Sequence, residues 1–317
     1  MTLPGAQDVE AAAARILRVA KRTPVVTSKS FDREAGVTAF LKCENFQTGG
    51  AFKIRGAMNF VMSTPEADRQ RGFVAYSSGN HAQAVAIAAR HAGVRATLVM
   101  PMDAPQTKLE ATRDAGGMVV AYDRYNENRE AIGKAIADET GASLIPPFDH
   151  PWIVAGQGTA ALELLEEVSD LDAIVTPLGG GGLVSGSALI AKKLNPKIKV
   201  FGVEPEAGND YWLSRQKGEP VEIPVPKTLA DGLMTTKPGA VTFPLVQQLV
   251  DDVFLVTDEE LLHAMKLLLL RGKMLVEPSG AAAATAALQH KLPANCRRVG
   301  IILSGGNVDL EVLKRLN

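Results

Sequence analysis

Short apolar runs alternate with segments of helical periodicity along most of the chain. Strands that alternate with helices in this way usually pair in parallel, and the helices then cover the faces of the sheet. The order therefore predicts an α/β fold built from open, mostly parallel sheets. The predicted strands are Phe73–Tyr76, 96–100, Met118–Tyr122, Ala173–Pro177, 200–203 and 299–303.

Helices are predicted between these strands at residues 81–92, 126–140 and 183–193. Gly93 and Gly141 follow the first two helices, in the usual place for a residue that ends a helix. With their flanking strands, residues 73–145 form a strand–helix unit that repeats and is sufficient for a small open sheet.

Two other segments have a distinct composition. Residues 261–276 form the most apolar helical segment, but His, Lys and Arg side chains interrupt it. It is therefore predicted to be a buried core helix and not a membrane span. Residues 148–158 are richer in Pro and Gly and are predicted to form a crossover between two α/β series.

The composition narrows the class of protein. The chain has 317 residues, enough for two domains, and its net charge of −1 gives no reason to expect nucleic acid or an anionic membrane as a partner. The N-terminus lacks the pattern of a signal peptide, and two cysteines are too few for a disulfide framework. The protein is therefore predicted to be cytoplasmic.

A lysine in the segment Ala51-Phe52-Lys53-Ile54-Arg55-Gly56 is the first candidate for chemistry. A lysine amine becomes a good nucleophile when it is desolvated or placed near positive charge. Lys53 has apolar neighbours on both sides and an arginine two residues further on. A surface lysine near the start of a helix is the alternative interpretation of this segment.

A run of four glycines, Gly179, Gly180, Gly181 and Gly182, lies between the predicted strand Ala173–Pro177 and the predicted helix 183–193. Backbone amides at the N-terminus of a helix bind phosphate, and glycine lets the backbone approach its oxygens. No Lys-Ser or Lys-Thr pair follows, which argues against a nucleoside triphosphate. A flexible turn and a dinucleotide loop are the alternatives.

Two polar loops complete the set of candidates. Ser77, Ser78, Gly79, Asn80 and His81 join a predicted strand to a helix, and their amides and hydroxyls can hold a carboxylate. An ordinary helix cap would explain the same residues, and a histidine in this place is more often a packing group than a base.

Ser304 follows the last predicted strand and precedes two glycines. A turn or a helix cap would also account for a serine in this position.

Together these motifs resemble the fold-type-II pyridoxal-phosphate (PLP) enzymes, which are similar to the tryptophan synthase β chain. The resemblance is strongest to the family of serine racemases and serine/threonine dehydratases, and it runs from about Arg18 to the C-terminus. It implies a large PLP-binding domain of residues 1–64 and 151–317 and a small inserted α/β domain of residues 65–150. The cofactor would lie between the two domains. A homodimer is also implied.

The resemblance also implies roles for the candidate residues. Lys53 would be the Schiff-base lysine, Phe52 would pack on the cofactor ring, and the four glycines would hold the phosphate. Asn80 would face the ring oxygen, while residues 77–81 would bind the substrate carboxylate. Ser304 would face the ring nitrogen, where a neutral hydroxyl disfavours transamination. Family members commonly have Ser where this chain has Ala51, which removes a hydroxyl but leaves the lysine in place.

The implied reaction is dehydration of a β-hydroxy amino acid, such as serine, threonine or hydroxyaspartate, to a 2-oxo acid and ammonia. Ser78 permits the alternative, an amino acid racemase, because racemisation needs an acid/base on each face of the cofactor and Lys53 supplies only one; it equally permits elimination from either enantiomer. Dehydratases for threonine usually have Ala at the position of Ser78. A non-catalytic α/β protein that binds a nucleotide or PLP is a third hypothesis.

A metal site is predicted after the strand at residues 200–203. Glu204, Gly208 and Asp210 have the spacing of two carboxylates and a backbone carbonyl that hold the metal in metal-dependent members of the family. These oxygen ligands suit Mg²⁺ or Ca²⁺. A solvated acidic loop is the alternative.

Overall fold

The strands form two separate sheets. A computed structural model describes residues 2–77, 79–104 and 106–316. The strands are β1 (Val25–Val26), β2 (Thr38–Cys43), β3 (Phe73–Tyr76), β4 (Ala96–Pro101), β5 (Met118–Tyr122), β6 (Ser143–Leu144), β7 (Ala173–Pro177), β8 (Lys199–Pro205), β9 (Asp252–Val256) and β10 (Arg298–Leu303).

Helices connect most of the parallel strands. They are α1 (Ala6–Ile16), α2 (Lys29–Ala35), α3 (Lys53–Ser63), α4 (Glu66–Arg69), α5 (Asn80–His91), α6 (Gln106–Asp114), α7 (Arg129–Thr140), α8 (Pro151–Glu167), α9 (Gly182–Leu194), α10 (Asp210–Lys217), α11 (Thr242–Leu249), α12 (Asp258–Leu270), α13 (Pro278–Leu288) and α14 (Leu310–Leu313). Short 3₁₀ turns, including Glu206–Gly208 and Asp231–Leu233, lie in the loops.

The larger sheet has six strands in the order β1-β2-β10-β7-β8-β9. All of its pairs are parallel except β1 with β2. The chain moves outward from β7 through β8 to β9, and then returns to place β10 on the other side of β7. The loops after β7 and β10 therefore diverge, and this is where open α/β sheets form a binding crevice. The four glycines and Ser304 are in these two loops.

The smaller sheet has four parallel strands in the order β5-β4-β3-β6. The chain again reverses its direction beside β3, so the loop that follows β3 lies at a second crevice. That loop contains the polar residues predicted to hold a carboxylate. Both sheets therefore place a predicted binding loop at the point where the strand order reverses.

Packing between the helices depends on glycine. On α8 and α9, a Cβ atom at Gly158 would be 2.6 Å from the carbonyl oxygen of Gly186, and one at Gly186 would be 2.2 Å from the carbonyl oxygen of Val154. Larger residues would push these two helices apart. The two helices are consequently packed closely against each other. Strand β7 of the larger sheet is buried throughout.

A network of buried charges lies under α3. Arg55 has no exposed side-chain surface, and its guanidinium donates to Glu44 at 2.7 and 2.8 Å and to Glu163 at 2.8 Å. Lys42 on β2 also donates to Glu163, at 2.6 Å. Thr159 accepts a further hydrogen bond from Arg55 at 3.0 Å. These contacts tie α3 to β2 and α8, and they neutralise each cation with a carboxylate.

The predicted strands agree with the structure, but two predicted helices and the predicted crossover need correction. Predicted helix 126–140 begins at Arg129, because the side chain of Asn128 caps it by accepting from the amides at 130 and 131. The predicted crossover 148–158 is mostly the first half of α8, because Pro151 occupies the first turn, where proline is well tolerated. Predicted helix 261–276 ends at Leu270, and Lys273 has a positive φ of 58°.

The division into domains at residues 64/65 and 150/151 stays a prediction. All four strands of the smaller sheet lie between Phe73 and Leu144, which is compatible with that division. Within the described ranges, no helix is long and apolar enough to cross a membrane.

Candidate active site

The start of α3 lies against the end of β10. The amide of Phe52 donates to the carbonyl oxygen of Ser304 at 3.0 Å, and Ala51 forms an isolated antiparallel bridge with Gly305. Because β2 and β10 are parallel neighbours, their carboxyl ends meet at one edge of the sheet. Lys53 and Ser304 are thereby brought to the same cavity although they are far apart in sequence.

Lys53 is the first residue of α3, and its side chain enters the cavity. Its Nζ donates to the carbonyl oxygen of Pro147 at 3.0 Å and lies 5.1 Å from the centre of the Phe52 ring. Burial lowers the pKa of Lys53 to about 8, and the negative charge of Glu277 opposes this shift. The amine therefore has a much larger neutral fraction near neutral pH than an exposed lysine.

The four glycines form another wall of this cavity. Gly181 has a φ of 84° and is the residue that precedes α9. A Cβ atom at Gly180 would lie 2.0 Å from the ring of Phe148, and one at Gly181 would lie 2.4 Å from the hydroxyl of Tyr211. These positions accept only glycine, and they leave the backbone amides at the N-terminus of α9 open toward the cavity. The arrangement fits a phosphate group.

The loop after β3 is linked to the large sheet by amide and carboxylate groups. Asn80 donates through Nδ2 to Glu277 Oε1 at 2.6 Å and accepts from Asn307 at 2.9 Å. Asn307 also donates to the carbonyl oxygen of Gly49 at 2.8 Å. The orientation of Asn80 is therefore fixed from two sides.

Glu277 is buried, and its Oε2 atom has no hydrogen-bond partner among the described residues. Burial, together with the negative charge of Asp231, raises the pKa of Glu277 to about 7. A carboxyl of this kind can be protonated or ionised near neutral pH. It stands beside Lys53 without forming a direct salt bridge to it.

His81 and Ser77 also line the cavity. Burial lowers the pKa of His81 to about 3, and its Nε2 lies 3.2 Å from the carbonyl oxygen of Ile145. The imidazole is therefore neutral, and this geometry agrees with a packing role. Ser77 accepts from the amide of Gly79 at 3.2 Å, which shapes the loop. Ser78, the predicted second acid/base, lies outside the described residues.

Several polar residues of the cavity were not predicted from the sequence. Tyr76 precedes the predicted loop, and Lys108 and Arg129 come from α6 and the start of α7. Lys108 forms a salt bridge with Asp231 of the large-sheet side. No local pattern marks Lys108 or Arg129 as a site residue. Only the folding of the small sheet against the large one brings them here.

The predicted metal ligands lie apart from this cavity, at the end of β8. Glu204 and Asp210 are fully buried and Gly208 is buried in the turn between them. Glu204 accepts from the amides of Tyr211 at 3.1 Å and Trp212 at 2.9 Å.

The Oδ2 atom of Asp210 finds no hydrogen-bond partner among the described residues. Burial raises the pKa of Asp210 to about 6, and burial and Asp210 together raise that of Glu204. In the ranges that the structure describes, no group of three or more His, Cys, Asp or Glu side chains could hold a metal ion.

The donor set of the main cavity fits PLP. A desolvated lysine, a phosphate cradle that a Cβ atom would fill, and a hydroxyl at the end of β10 line one space. A family model described as pyridoxal-phosphate dependent enzyme matches residues 16–305. The chain belongs to this family. The predicted fold-type-II α/β architecture and the PLP cofactor are thereby confirmed.

Similar proteins narrow the kind of PLP-dependent enzyme. The chain is 49% identical over 311 residues to a serine racemase of Schizosaccharomyces pombe, covering 98% of this chain and 96% of that protein. It is 50% identical over 311 residues to an L-threo-3-hydroxyaspartate ammonia-lyase of Saccharomyces cerevisiae, covering 98% and 95%. The chain is therefore an enzyme of the ammonia-lyase and racemase group, as the sequence predicted.

Solved structures agree with this assignment. Maize serine racemase superimposes with a TM-score of 0.95 at 42% identity, covering 99% of this chain and 97% of that one. A threonine deaminase from tomato, Solanum lycopersicum, gives a TM-score of 0.89 at 32% identity, covering 99% and 89%. Both the lyase and the racemase interpretations thus have close structural counterparts.

Proposed function

We propose that this PLP-dependent enzyme converts a β-hydroxy amino acid to a 2-oxo acid and ammonia. The observation that carries the proposal is the position of Lys53, whose partly buried amine has a pKa lowered to about 8 and which shares one cavity with the glycine cradle and the loop after β3. The hydroxyl of Ser304 lies at the end of β10. A carboxylate in this position would favour transamination, whereas a neutral hydroxyl disfavours it. The 50% identical ammonia-lyase supports the same choice.

Each group has a proposed role. The amides of the four glycines would hold the cofactor phosphate, Phe52 and Asn80 would contact its ring, and Ser304 would face its nitrogen. Residues 77–81 would bind the substrate α-carboxylate. When it is bound, PLP supplies an electron-withdrawing ring that makes the α-proton of an amino acid acidic.

The residues of the chain would then perform the proton transfers. The Lys53 amine would accept the α-proton. The hydrogen bond from Asn80 to Glu277 would hold the Asn80 side chain in one orientation in the cavity. The β-hydroxyl would leave with a proton as water. The resulting enamine would take up one water in solution and break down to the 2-oxo acid and ammonia, so that atoms balance over the reaction.

A racemase is the second proposed function. It is supported by Ser78 in the sequence and by the serine racemase that is 49% identical. Ser78 would donate or accept the α-proton on the face opposite Lys53. The same pair of groups would allow elimination from either enantiomer.

We also propose that Glu204, the carbonyl of Gly208 and Asp210 hold Mg²⁺ or Ca²⁺. Two buried carboxylates with raised pKa values and no neighbouring cation among the described side chains support this site. Waters would complete the oxygen shell that these ions prefer. The metal would support the loop before α10 and would take no part in the reaction. A cytoplasmic homodimer remains a prediction from the sequence.

The test is proton NMR of the holoenzyme in D₂O with L- and D-β-hydroxy amino acids, followed by chiral chromatography of the remaining substrate. The proposal expects net formation of a 2-oxo acid with little of the opposite enantiomer. Exchange of the α-proton for deuterium with accumulation of the opposite enantiomer would instead favour the racemase. Absence of both reactions would contradict both functions.

A further inference from the structure

The hydroxyl of Tyr211 reaches the glycine run from outside the active-site cavity. It lies 3.1 Å from the carbonyl oxygen of Gly180 and 2.7 Å from the side-chain hydroxyl of Thr242. Because a carbonyl oxygen carries no proton, the phenol donates to Gly180 and accepts from Thr242. Tyr211 is fully buried and, within the described ranges, does not line the cavity, whereas Gly180 does. The phenol therefore contacts the side of the glycine run that is turned away from the cavity.

This contact sets the direction of one amide in the run. The C=O of Gly180 and the N–H of Gly181 belong to the same peptide plane, and in a trans peptide they point in opposite directions. A carbonyl held toward Tyr211 therefore turns the Gly181 amide away from the phenol, to the cavity side. In the described ranges this amide donates to no protein group, so its hydrogen-bonding capacity is available to an anion.

The position of the phenol is fixed from two directions. The backbone amide of Tyr211 donates to Oε1 of Glu204 at 3.1 Å, which joins the start of α10 to β8. Thr242 begins α11, and its own amide donates to Asp149 at 3.2 Å. The hydroxyl of Tyr211 thus connects the N-termini of α10 and α11 with the loop that opens α9.

Packing alone does not require this hydroxyl. The Tyr211 ring belongs to a buried apolar cluster that includes Val246 and Val253, where phenylalanine would fill the same volume. Burial raises the pKa of Tyr211, so the phenol keeps its proton and is a neutral donor. A hydroxyl among apolar side chains is costly unless it is hydrogen-bonded, and both partners of this one lie in or beside the glycine run.

We infer that Tyr211 is a positioning residue for the cofactor phosphate, because its hydroxyl holds the peptide between Gly180 and Gly181 with the Gly181 amide facing the phosphate. The inference rests on the proposed role of the four glycines and is independent of which reaction the enzyme catalyses. A donor that is already oriented needs no reorganisation when an anion binds. The contact should therefore contribute to the affinity for the phosphate and not to the affinity for the cofactor ring.

The test compares the affinities of the full-length apoenzyme for PLP and for pyridoxal, which lacks the phosphate. Cofactor absorbance measures both dissociation constants. Tyr211→Phe keeps the ring and removes the donor, so it should lower the preference for PLP over pyridoxal by about 5- to 10-fold. The affinity for pyridoxal should stay close to that of the wild-type protein.

Two further variants sharpen the test. Tyr122→Phe is the matched control, because Tyr122 is also a buried tyrosine and lies at the end of β5, outside the residues that line the cavity. Its preference for PLP should equal that of the wild-type protein. Thr242→Val removes the second partner of the phenol but leaves the donor to Gly180. It should therefore lower the preference by a smaller factor than Tyr211→Phe does.

Three results would overturn the inference. An unchanged preference in Tyr211→Phe would show that the hydroxyl does not act on the phosphate site. Equal losses of affinity for PLP and pyridoxal would assign Tyr211 to the general support of the cavity. Both of these results would leave the proposed phosphate role of the glycines intact. A wild-type protein that binds PLP and pyridoxal equally well would overturn that role together with the inference.

Discussion

Lys53 and Arg55 are two residues apart at the start of one helix, yet their surroundings are opposite. Arg55 is buried with two carboxylates and makes at least four hydrogen bonds to them. Lys53 is half-buried beside a carbonyl oxygen and an aromatic ring, and burial lowers its pKa to about 8. The same type of charge is fully neutralised in one place and, among the residues that the structure describes, has no salt bridge in the other.

The different surroundings of Arg55 and Lys53 suit different tasks: a paired charge stabilises the fold, and an amine without a salt bridge can react. Buried charges that are fully paired fix the relative positions of the elements that carry them, because removal of one partner leaves the other unpaired in a low-dielectric interior. A buried amine without a salt-bridge partner is instead biased toward its neutral, nucleophilic form. Arg55 therefore anchors the helix from which Lys53 reaches the cofactor.

The largest expected effect is the loss of activity when Lys53 is replaced. Lys53→Ala should lower kcat by about 10⁴-fold, because it removes the group that would accept the α-proton. Steady-state assays of 2-oxo acid formation measure this. Lys42→Met is the control, since Lys42 is also a buried lysine but is neutralised by Glu163, so the folded variant should remain active. Equal losses in both variants would contradict the assignment.

The next effect is on stability. Arg55→Met should lower the free energy of unfolding by about 3–5 kcal/mol, because Glu44 is left buried and unpaired. Lys53→Met should change it by no more than about 1 kcal/mol, because no salt bridge is lost. Urea unfolding of the two apoproteins measures both values.

The double variant Arg55→Met/Glu44→Gln should recover part of the loss, because no uncompensated carboxylate remains at this position. If Arg55→Met proved as stable as Lys53→Met, the contrast between the two sites would be wrong.

A smaller effect concerns the pH at which Lys53 reacts. The apoenzyme should take up PLP with a rate that falls as the pH drops below about 8, because protonation removes the nucleophilic lone pair. Glu277 raises the pKa of Lys53, so Glu277→Gln should move this midpoint to lower pH. Cofactor absorbance followed over a pH series measures it. Glu166→Gln, at a residue paired with Arg22, should leave the midpoint in place.

The smallest expected effect concerns Glu204 and Asp210. These are two buried carboxylates that form no salt bridge with a cation among the described side chains. Their pKa values are raised in the folded protein, so the folded state binds more protons than the unfolded one. Without metal, stability should therefore fall as the pH rises from the ordinary value of 3.8 through about 6 for Asp210.

Mg²⁺ should offset that loss by binding only the folded state, and should raise Tm by a few degrees, on the order of 2–4 °C. Thermal scans with and without Mg²⁺ test this. Asp210→Asn should abolish the increment, whereas Asp170→Asn, at an exposed residue paired with Arg298, should not. An increment that survives in Asp210→Asn would place the ion elsewhere.

Much of the fold could be predicted from local sequence patterns. Strands Phe73–Tyr76, Met118–Tyr122 and Ala173–Pro177 were predicted to the residue, because each is an apolar run bounded by turn residues. The segment around Pro151 was predicted to be a crossover, because a proline marks both the end of one helix and the first turn of another. Local periodicity does not distinguish these two cases.

Some residues of the candidate site could likewise be predicted from the sequence, and others could not. Lys53 and the glycine run are recognisable because their neighbours in sequence also serve the site. Arg129 and Lys108 are not, because they reach the cavity only after two sheets pack together. The salt bridge between Lys108 and Asp231 joins residues 123 positions apart. Pairings of this kind depend on tertiary structure, and no local pattern encodes them.

Borohydride reduction of the holoenzyme, followed by peptide mass mapping, tests most directly whether Lys53 is the residue that carries the cofactor. Reduction makes a covalent link between PLP and a lysine permanent. We expect a single phosphopyridoxyl group, located on Lys53, and none on the neutralised Lys42 or Lys108. A modification on either of these residues, or a holoenzyme that releases all of its cofactor after reduction, would contradict this assignment.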